Sequence, residues 1–457
     1  MTKPIALVYG LALAGDALAH QLVKRGWSVL VADDNPTEAK RALARGLGAT
    51  LGGQPDAPGL EQLVEQCDMV CPAPGVPETH AVITAACHVG VPIRTEIDLA
   101  YEWEQERPQG PRPILAITGT DGKTTTTMLV AHILNTAGHR AAAVGNTEVP
   151  FAAALDGEAF ADVDVFAVEC SSFRLNWLDS FRAEAAVWLN LAPDHQNWHN
   201  SMAAYEAAKA RIWAHRRSTD VAIGFADDPI VMRNLQAAGG ITRTFATSDA
   251  DYHVHSSPNG GHLVGPAGVI AAVSSMTRAL PHDLTNALAA AALVLETGLA
   301  DVPAIAAALA TFRHPPHRIE PVGVIDGVRW FNDSKATSPH AALTAIRSFD
   351  HVVLLAGGLN KGLDLSSLAT EKDRIKAVIG LGSSAGDITD AFEGLCPTSV
   401  ATSMKEAVSM ADKLAVVGDV VLLSPACASF DWYPTGGYPE RGDDFRQLVA
   451  ELAGARG

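Results

Sequence analysis

The feature that most constrains this chain is a short glycine loop between an apolar run and a helical pattern. ILAIT (Ile114–Thr118) leads into Gly119-Thr120-Asp121-Gly122-Lys123-Thr124-Thr125, and TTTMLVAHIL follows. A buried strand, a tight loop and a helix in that order predict a parallel α/β unit. Glycines let the loop curl so that backbone N–H groups face phosphate oxygens, and the helix N-terminus adds partial positive charge. Lys123 is placed to reach the outer phosphates, and the Thr124 hydroxyl to hold Mg²⁺. The strict P-loop spacing would need glycine where Ile117 stands, so this is a shorter G-x-x-G-K-T variant.

The same alternation extends in both directions. IALVYG (Ile5–Gly10), a helical pattern ending in glycine, and WSVLVADD (Trp27–Asp34) form a βαβ opening of Rossmann type. MVCPAPGVP (Met69–Pro77) is a further strand running into a turn. VDVFAVEC (Val163–Cys170) and AEAAVWLNL (Ala183–Leu191) are buried strands after the loop. Residues 221–275 read as short strands and turns, including SPNGGHL, and residues 283–310 as Ala/Leu-rich helices. GVRWFNDS, HVVLLAGG, AVIGLG and VVLLSPA are strands of another α/β unit. RPQGPRP (Arg107–Pro113) reads as a linker and RHPPHR (Arg313–Arg318) as a second boundary. With 457 residues and about 150 per domain, the expected organisation is three α/β domains: 1–106, 107–313 and 314–457. The first is expected to be Rossmann-like, the second a P-loop-type ATP-binding domain, and the third Rossmann-like.

Hydrophobic residues make up 48% and charged residues 19%, so the chain can build packed cores. The formal charge of −17 excludes a general binder of nucleic acid or anionic membrane, which needs a basic face. The first residues read as a strand entering a glycine turn rather than a signal peptide. No charge-free stretch of about 18 apolar residues predicts a membrane span. The six cysteines lack zinc spacing and read as buried free thiols of a reducing cytoplasm.

Other residues carry chemistry by position. Glu169 closes an apolar run, where a buried carboxylate needs a partner such as Mg²⁺ bound to ATP. Asp194 and His195 are expected to end the strand VWLNLAP. Gly10 and Gly15 stand at the outer places of G-x-G-x-x-G, with Ala12 in the middle, and Asp33 lies where an acidic residue would meet a ribose. That turn admits an NAD-dependent oxidoreductase as a competing reading. A nucleotide-binding regulator without activity is another. The phosphate loop opposes the first, and Lys123, Glu169, His195 and Lys209 oppose the second.

Taken together, GTDGKTT, ECSSF (Glu169–Phe173), NLAPDH (Asn190–His195) and YEAAKARIW (Tyr205–Trp213) resemble the Mur ligases. PHRIE (Pro316–Glu320), FNDSKATS (Phe331–Ser338), AGGLNKG (Ala356–Gly362), LLSPACASFD (Leu422–Asp431) and ERGDDF (Glu440–Phe445) resemble the members of that family that add glutamate. The resemblance implies a cytoplasmic, monomeric enzyme of cell-wall synthesis. It would join glutamate to UDP-N-acetylmuramoyl-L-alanine with hydrolysis of ATP, through an acyl phosphate. Either D-glutamate or, as the alternative, L-glutamate would be the acceptor, and another Mur-type amino-acid ligase is a further alternative.

The resemblance also assigns residues. Gly119, Thr120, Asp121, Gly122, Lys123, Thr124, Thr125, Asn286, Arg318 and Asp333 would bind ATP. His282 and Asn286 match H-N-x-x-N, with Asp283 in place of its first asparagine. Thr124, Glu169, His195 and Lys209 would serve two Mg²⁺ ions, with Lys209 carbamylated. A lysine ammonium beside Mg²⁺ would be repelled, whereas a carbamate offers oxygen. Lys123, Glu169, His195 and Lys209 are the implied catalytic set. Leu13, Ala14, Asp34, Asn35, Ala73, Pro74, Gly75, Asn146 and His195 would contact the UDP substrate, although Asp33-Asp34-Asn35 and Ala73-Pro74-Gly75 depart from the family's Asp-Thr-Arg and Ser-Pro-Gly. Lys335, Thr337, Lys361, Ser429 and Tyr438 would hold the glutamate.

Overall fold

The computed structural model describes residues 3–49, 51–52, 57–196, 198–257 and 260–456. The turn expected at Pro258 and Asn259 lies outside them. The chain forms two compact units, Met1–Phe312 and Arg313–Gly457, both built from alternating strands and helices.

The first unit holds two parallel sheets and a small antiparallel one. Its N-terminal sheet runs Leu51–Gly52, Ser28–Ala32, Ile5–Tyr9, Met69–Pro72, all parallel. The chain fills one side of Ile5–Tyr9 and then crosses to the other. That creates a switch point at the carboxyl end of this strand, where α/β folds bind ligands. Gly15 lets the following helix start close to the strand, since a Cβ there would stand 2.1 Å from the Gly10 carbonyl oxygen.

The central sheet runs Ile241–Phe245, Val221–Phe225, Ala185–Trp188, Ile114–Thr118, Val165–Glu169, Ala141–Gly145, again all parallel. Ile114–Thr118 lies wholly buried inside it, as strands covered on both faces require. Helices Lys123–Thr136 and Pro281–Glu296 pack together on one face through Leu129, Ile133, Leu288 and Val294. Each such side chain contributes roughly 1.5–3 kcal/mol of burial. Register does the rest: Ile117 pairs with Glu169, Gly145 with Glu169, and Thr118 with Trp188. The loop, Glu169, Asn146 and Asn190 therefore emerge at the same edge. The small sheet is His253–Ser257, Gly260–Gly265, Gly268–Ala272. Within residues 221–275, expected to hold only strands and turns, there is also a helix, Pro229–Ala238. It starts with the Asp228 carboxylate accepting from the Ile230 and Val231 amides. Its proline at the first turn suits a helix start, which the strand reading overlooked.

The second unit holds one sheet in the order Glu320–Ile325, Val328–Asn332, Val420–Ala426, Val352–Gly357, Ile375–Leu381, Thr398–Val400. All pairs are parallel except the hairpin Glu320–Ile325 with Val328–Asn332. Among the six cysteines, Cys67, Cys71, Cys170 and Cys427 are buried. Cys87 is exposed and Cys396 half-buried, which corrects the expectation that all were enclosed. No helix among the described residues is long and apolar enough to cross a membrane.

Candidate functional site

The glycine loop is held open by its neighbours rather than by its own turns. The Asn190 Oδ1 accepts from the amides of both Thr120 and Asp121, at 2.9 Å each. The Thr120 hydroxyl meets Tyr205 at 3.1 Å and accepts from the Ala192 amide at 2.9 Å. Gly122 has φ 82°, and a Cβ there would lie 2.7 Å from Asn286 Oδ1. Thr126 donates to that same oxygen at 3.2 Å. Asn286 is thus brought to the loop, Thr124 and Thr125 start the helix behind it, and Lys123 folds back to donate to the carbonyls of Gly119 (2.9 Å) and Thr120 (2.7 Å). Asp283 is buried and pairs with Arg278 through two contacts, 2.7 and 2.8 Å. It also accepts from the Leu280 amide at the helix start. His282 lies against Arg278, and burial lowers its pKa.

Glu169 ends its strand 2% exposed. Its Oε1 accepts from Asn146 Nδ2 at 3.0 Å, and its Oε2 is buried with no partner among the described residues. Lys209 sits on the helix Met202–Ala210, whose start is capped by Ser201. Four residues after Tyr205 it shares that residue's face. Its Nζ lies 4.6 Å from the Tyr205 ring centre and donates to the Gly119 carbonyl at 2.6 Å. A lysine in an Ala-rich helix suggests a surface position, yet Lys209 is 1% exposed. Burial, then the nearby Lys123, hold its pKa well below the usual lysine value. Contrary to expectation, Asp194 and His195 do not end a strand; the strand stops at Trp188. Both lie in the loop beyond, where His195 adopts φ 56°. Its ring lies 4.6 Å from Phe173 and 5.9 Å from Tyr205, centre to centre. Leu-Asn-Leu-Ala-Pro follows Trp188, and Asn190 serves the glycine loop, so the chain leaves the sheet there.

No group of three or more His, Cys, Asp or Glu side chains suited to a metal occurs among the described residues. Mg²⁺ is ordinarily held by one or two carboxylates together with phosphates and water. The orphaned Glu169 oxygen and the Thr124 hydroxyl fit that donor set.

At the N-terminal switch point lies a cavity of about 450 Å³. Leu13, Ala14, Asp34, Asn35, Ala73, Pro74 and Gly75 all line it, and Leu13 is 70% exposed at its mouth. Asp33, expected to meet a ribose, also lines this cavity and is 4% exposed. It accepts from the Leu11 and Asn35 amides and from Lys40. Burial raises its pKa, but those hydrogen bonds outweigh burial and the net shift is downward. Sequence reasoning missed six residues of this wall: Tyr9, Lys40, Val76, Thr147, Pro150 and Arg174. Arg174 follows Glu169 by five residues and pairs, buried, with Glu96. A lone arginine in an apolar segment was its sequence signal.

In the second unit Lys335, Thr337, Lys361 and Ser429, expected to hold glutamate, lie on loops beyond strands of the sheet, and Tyr438 lies in the first turn of the helix Gly437–Gly454. Lys335 places its Nζ 3.8 Å from the Tyr438 ring centre. Leu359 and Ala428 exchange backbone hydrogen bonds at 2.8 and 3.0 Å, which joins the loop of the exposed Lys361 to that of the buried Ser429. Arg441, also missed, is the clamp: its guanidinium donates to Ser334 Oγ, Ser334 O and Cys427 O at 2.9, 2.8 and 3.1 Å. Thr337 is half-buried just before the helix Pro339–Ile346. Asp333 accepts from Ser424 Oγ at 2.8 Å and from the Ile319 amide at 3.2 Å. Arg318 is half-buried between His317 (φ 61°) and Ile319 (φ 47°).

Known proteins resemble the chain along its length. The family described as Mur ligase middle domain matches residues 117–294, and that described as Mur ligase, glutamate ligase domain, matches residues 317–427. A protein of Frankia casuarinae named UDP-N-acetylmuramoylalanine–D-glutamate ligase is 40% identical, covering 98% of this chain and 94% of that relative. One of the same name from Pelotomaculum thermopropionicum is 37% identical, covering 99% and 98%. Among solved structures, the UDP-N-acetylmuramate-alanine ligase MurC of Thermotoga maritima has a TM-score of 0.59 at 19% identity, covering 99% of this chain and 100% of that one. The MurF ligase of the same organism, in complex with ADP, has a TM-score of 0.60 at 13% identity, covering 99% and 96%. These structures share the fold.

Proposed function

The chain belongs to the Mur ligase family, and from that premise we propose that it is the ATP-dependent ligase that joins D-glutamate to UDP-N-acetylmuramoyl-L-alanine in peptidoglycan synthesis. The observation that carries the reading is the convergence of Lys123, Lys209 and the Glu169 carboxylate, whose Oε2 has no partner among the described residues, around one glycine loop. Three working parts are proposed: residues 1–106 for the UDP end, 107–313 for ATP, and 314–457 for the amino acid. The enzyme works in the cytoplasm as a monomer.

The chemistry follows from the charges. A carboxylate is a poor electrophile, so the alanyl carboxylate first attacks the γ-phosphate of ATP, giving an acyl phosphate and ADP. The glutamate amine then attacks the acyl carbon, and phosphate leaves with the electrons of the broken C–O bond. The first step brings two anions together and depends on positioning and charge neutralisation. Lys123 exchanges the Gly119 and Thr120 carbonyls for phosphate oxygens. Thr124, Glu169, His195 and a carbamylated Lys209 would hold two Mg²⁺ ions, which supply positive charge between phosphate and carboxylate when bound. A neutral, buried Lys209 amine is the form that adds CO₂, with loss of one proton. Asn146 orients Glu169, and Asn286 faces the adenosine part. Arg318 and Asp333 serve ATP, and Lys335, Thr337, Lys361, Ser429 and Tyr438 the glutamate. The amine must arrive neutral, so its attack needs a base.

Phosphate release from UDP-N-acetylmuramoyl-L-alanine and ATP, measured over a panel of amino acids, tests the proposal. Release with D-glutamate alone is the expected result. Release only with L-alanine or only with L-glutamate would overturn the acceptor assignment.

A further inference from the structure

Behind the loop of His195 lies an enclosed histidine that the proposed chemistry does not use. The turn after the strand Met69–Pro72 meets residues 198–200 at two points. Trp198 Nε1 donates to the Pro74 carbonyl at 3.0 Å, and Glu78 Oε1 accepts from the Asn200 amide. Glu78 Oε2 accepts from Asn176 Nδ2 at 3.5 Å. His199 fills the space between, its side chain 1% exposed. Its Nε2 lies 2.9 Å from the hydroxyl oxygen of Ser172, three residues after Glu169. Its Nδ1 is buried without a hydrogen-bond partner among the described residues and stands 3.6 Å from Glu78 Oε2. A proton on Nδ1 faces that carboxylate, so the neutral ring carries it there and Nε2 accepts from the Ser172 hydroxyl. The ring centre lies 4.5 Å from that of Trp198 and 5.1 Å from that of Tyr205, whose hydroxyl meets Thr120 of the glycine loop.

The backbone carries this arrangement back to His195. The amides of Trp198 and His199 donate to the His195 carbonyl at 2.9 and 3.0 Å, which closes a turn with His195 at φ 56°. A non-glycine residue keeps such a conformation only where its surroundings hold it. An apolar ring would fill the His199 site equally well, so its two polar contacts add direction rather than burial. We propose that His199 is a positioning residue: set between Glu78 and Ser172, it fixes the turn that carries His195 and registers that side chain against both the Pro74–Gly75 turn and the loop of Glu169. The inference rests on the reading of His195 as a residue of the substrate site and adds what holds it there.

Amide hydrogen exchange of residues 198–200 in the ligand-free protein is measured alongside steady-state kinetics. His199→Phe keeps a ring among the aromatic neighbours and removes both polar contacts. Glu78→Gln keeps an oxygen for the Asn200 amide and removes the charge. Each is expected to speed exchange of these amides by about tenfold, the worth of one lost polar contact. Each is also expected to raise KM for UDP-N-acetylmuramoyl-L-alanine by about tenfold, with the KM for glutamate unchanged. The double variant should be no worse than His199→Phe alone, because both changes break the same contact. His199→Asn, which keeps an N–H on the Glu78 side, is expected to recover most of the loss. Melting curves identify a variant that has failed to fold, and Glu78→Gln with His199→Asn then carries the test. Unchanged exchange and KM in the folded variants would overturn the proposal. So would additive effects in the double variant, or an equal rise in the KM for glutamate. A wild-type KM for UDP-N-acetylmuramoyl-L-alanine in His195→Ala would instead overturn the reading of His195, whatever the exchange rates.

Discussion

Lys123 and Lys209 aim their terminal nitrogens at one acceptor, the Gly119 carbonyl, at 2.9 and 2.6 Å. Two ammonium groups at that spacing repel, and only Lys209 is fully enclosed. The neutral form therefore falls to Lys209. Lys209→Arg keeps a charge but cannot add CO₂. The expected loss in kcat is on the order of a hundredfold or more, and depletion of CO₂ should lower wild-type activity reversibly. Wild-type turnover in Lys209→Arg would sink the carbamate.

Glu169 carries a buried oxygen without a partner among the described residues, which costs stability unless something binds it. Glu169→Gln removes the charge and keeps the oxygen that Asn146 contacts. In the absence of Mg²⁺ and ATP the variant should melt higher than wild type, by an amount on the order of 1 kcal/mol, while kcat falls by about a hundredfold. Calorimetry with and without Mg²⁺ checks both. A lower melting point without ligands would contradict the orphaned-carboxylate account.

Gly122 combines a left-handed φ with a close neighbour, Asn286. Gly138 has φ 97°, but a Cβ added there would meet no atom within 4 Å. Both alanine substitutions cost about 1 kcal/mol in backbone strain. Only Gly122→Ala should also raise KM for ATP, because it displaces Asn286. Equal effects of the two on ATP would argue that the loop shape does not matter for the nucleotide.

Burial lowers the pKa of both His282 and His317. The folded protein then binds fewer protons than the unfolded chain once the pH falls below about 6.5. Stability is complete above that value and declines as the pH drops towards the lowered folded values. Melting temperature measured from about pH 7.5 down to about 5.5, a range spanning the usual histidine pKa, should fall, and His282→Gln should flatten part of the slope. A flat wild-type profile would contradict the assignment of neutral, buried rings.

The parallel strands and the glycine loop were legible because buried strands read as apolar runs and glycines mark the turn. Lys209 was legible only by resemblance, since nothing in YEAAKARIW separates an enclosed lysine from a solvated one. Its burial depends on Gly119 and Tyr205, which approach through the fold. Asp33 and Asp34 show the same limit. Adjacent in sequence and alike in chemistry, they are separated by Leu11 and Lys40 on one side and Tyr9 and His80 on the other. The displaced reading of Asp194 and His195 arose because LNLAP continues an apolar pattern after the sheet has ended at Trp188.

The most direct measurement follows a heavy-oxygen label placed in the alanyl carboxylate of UDP-N-acetylmuramoyl-L-alanine, incubated with the protein, ATP and D-glutamate. The account expects one labelled oxygen to appear in inorganic phosphate, with ADP and amide product formed in equal amounts. Unlabelled phosphate, or AMP and pyrophosphate in place of ADP, would contradict it.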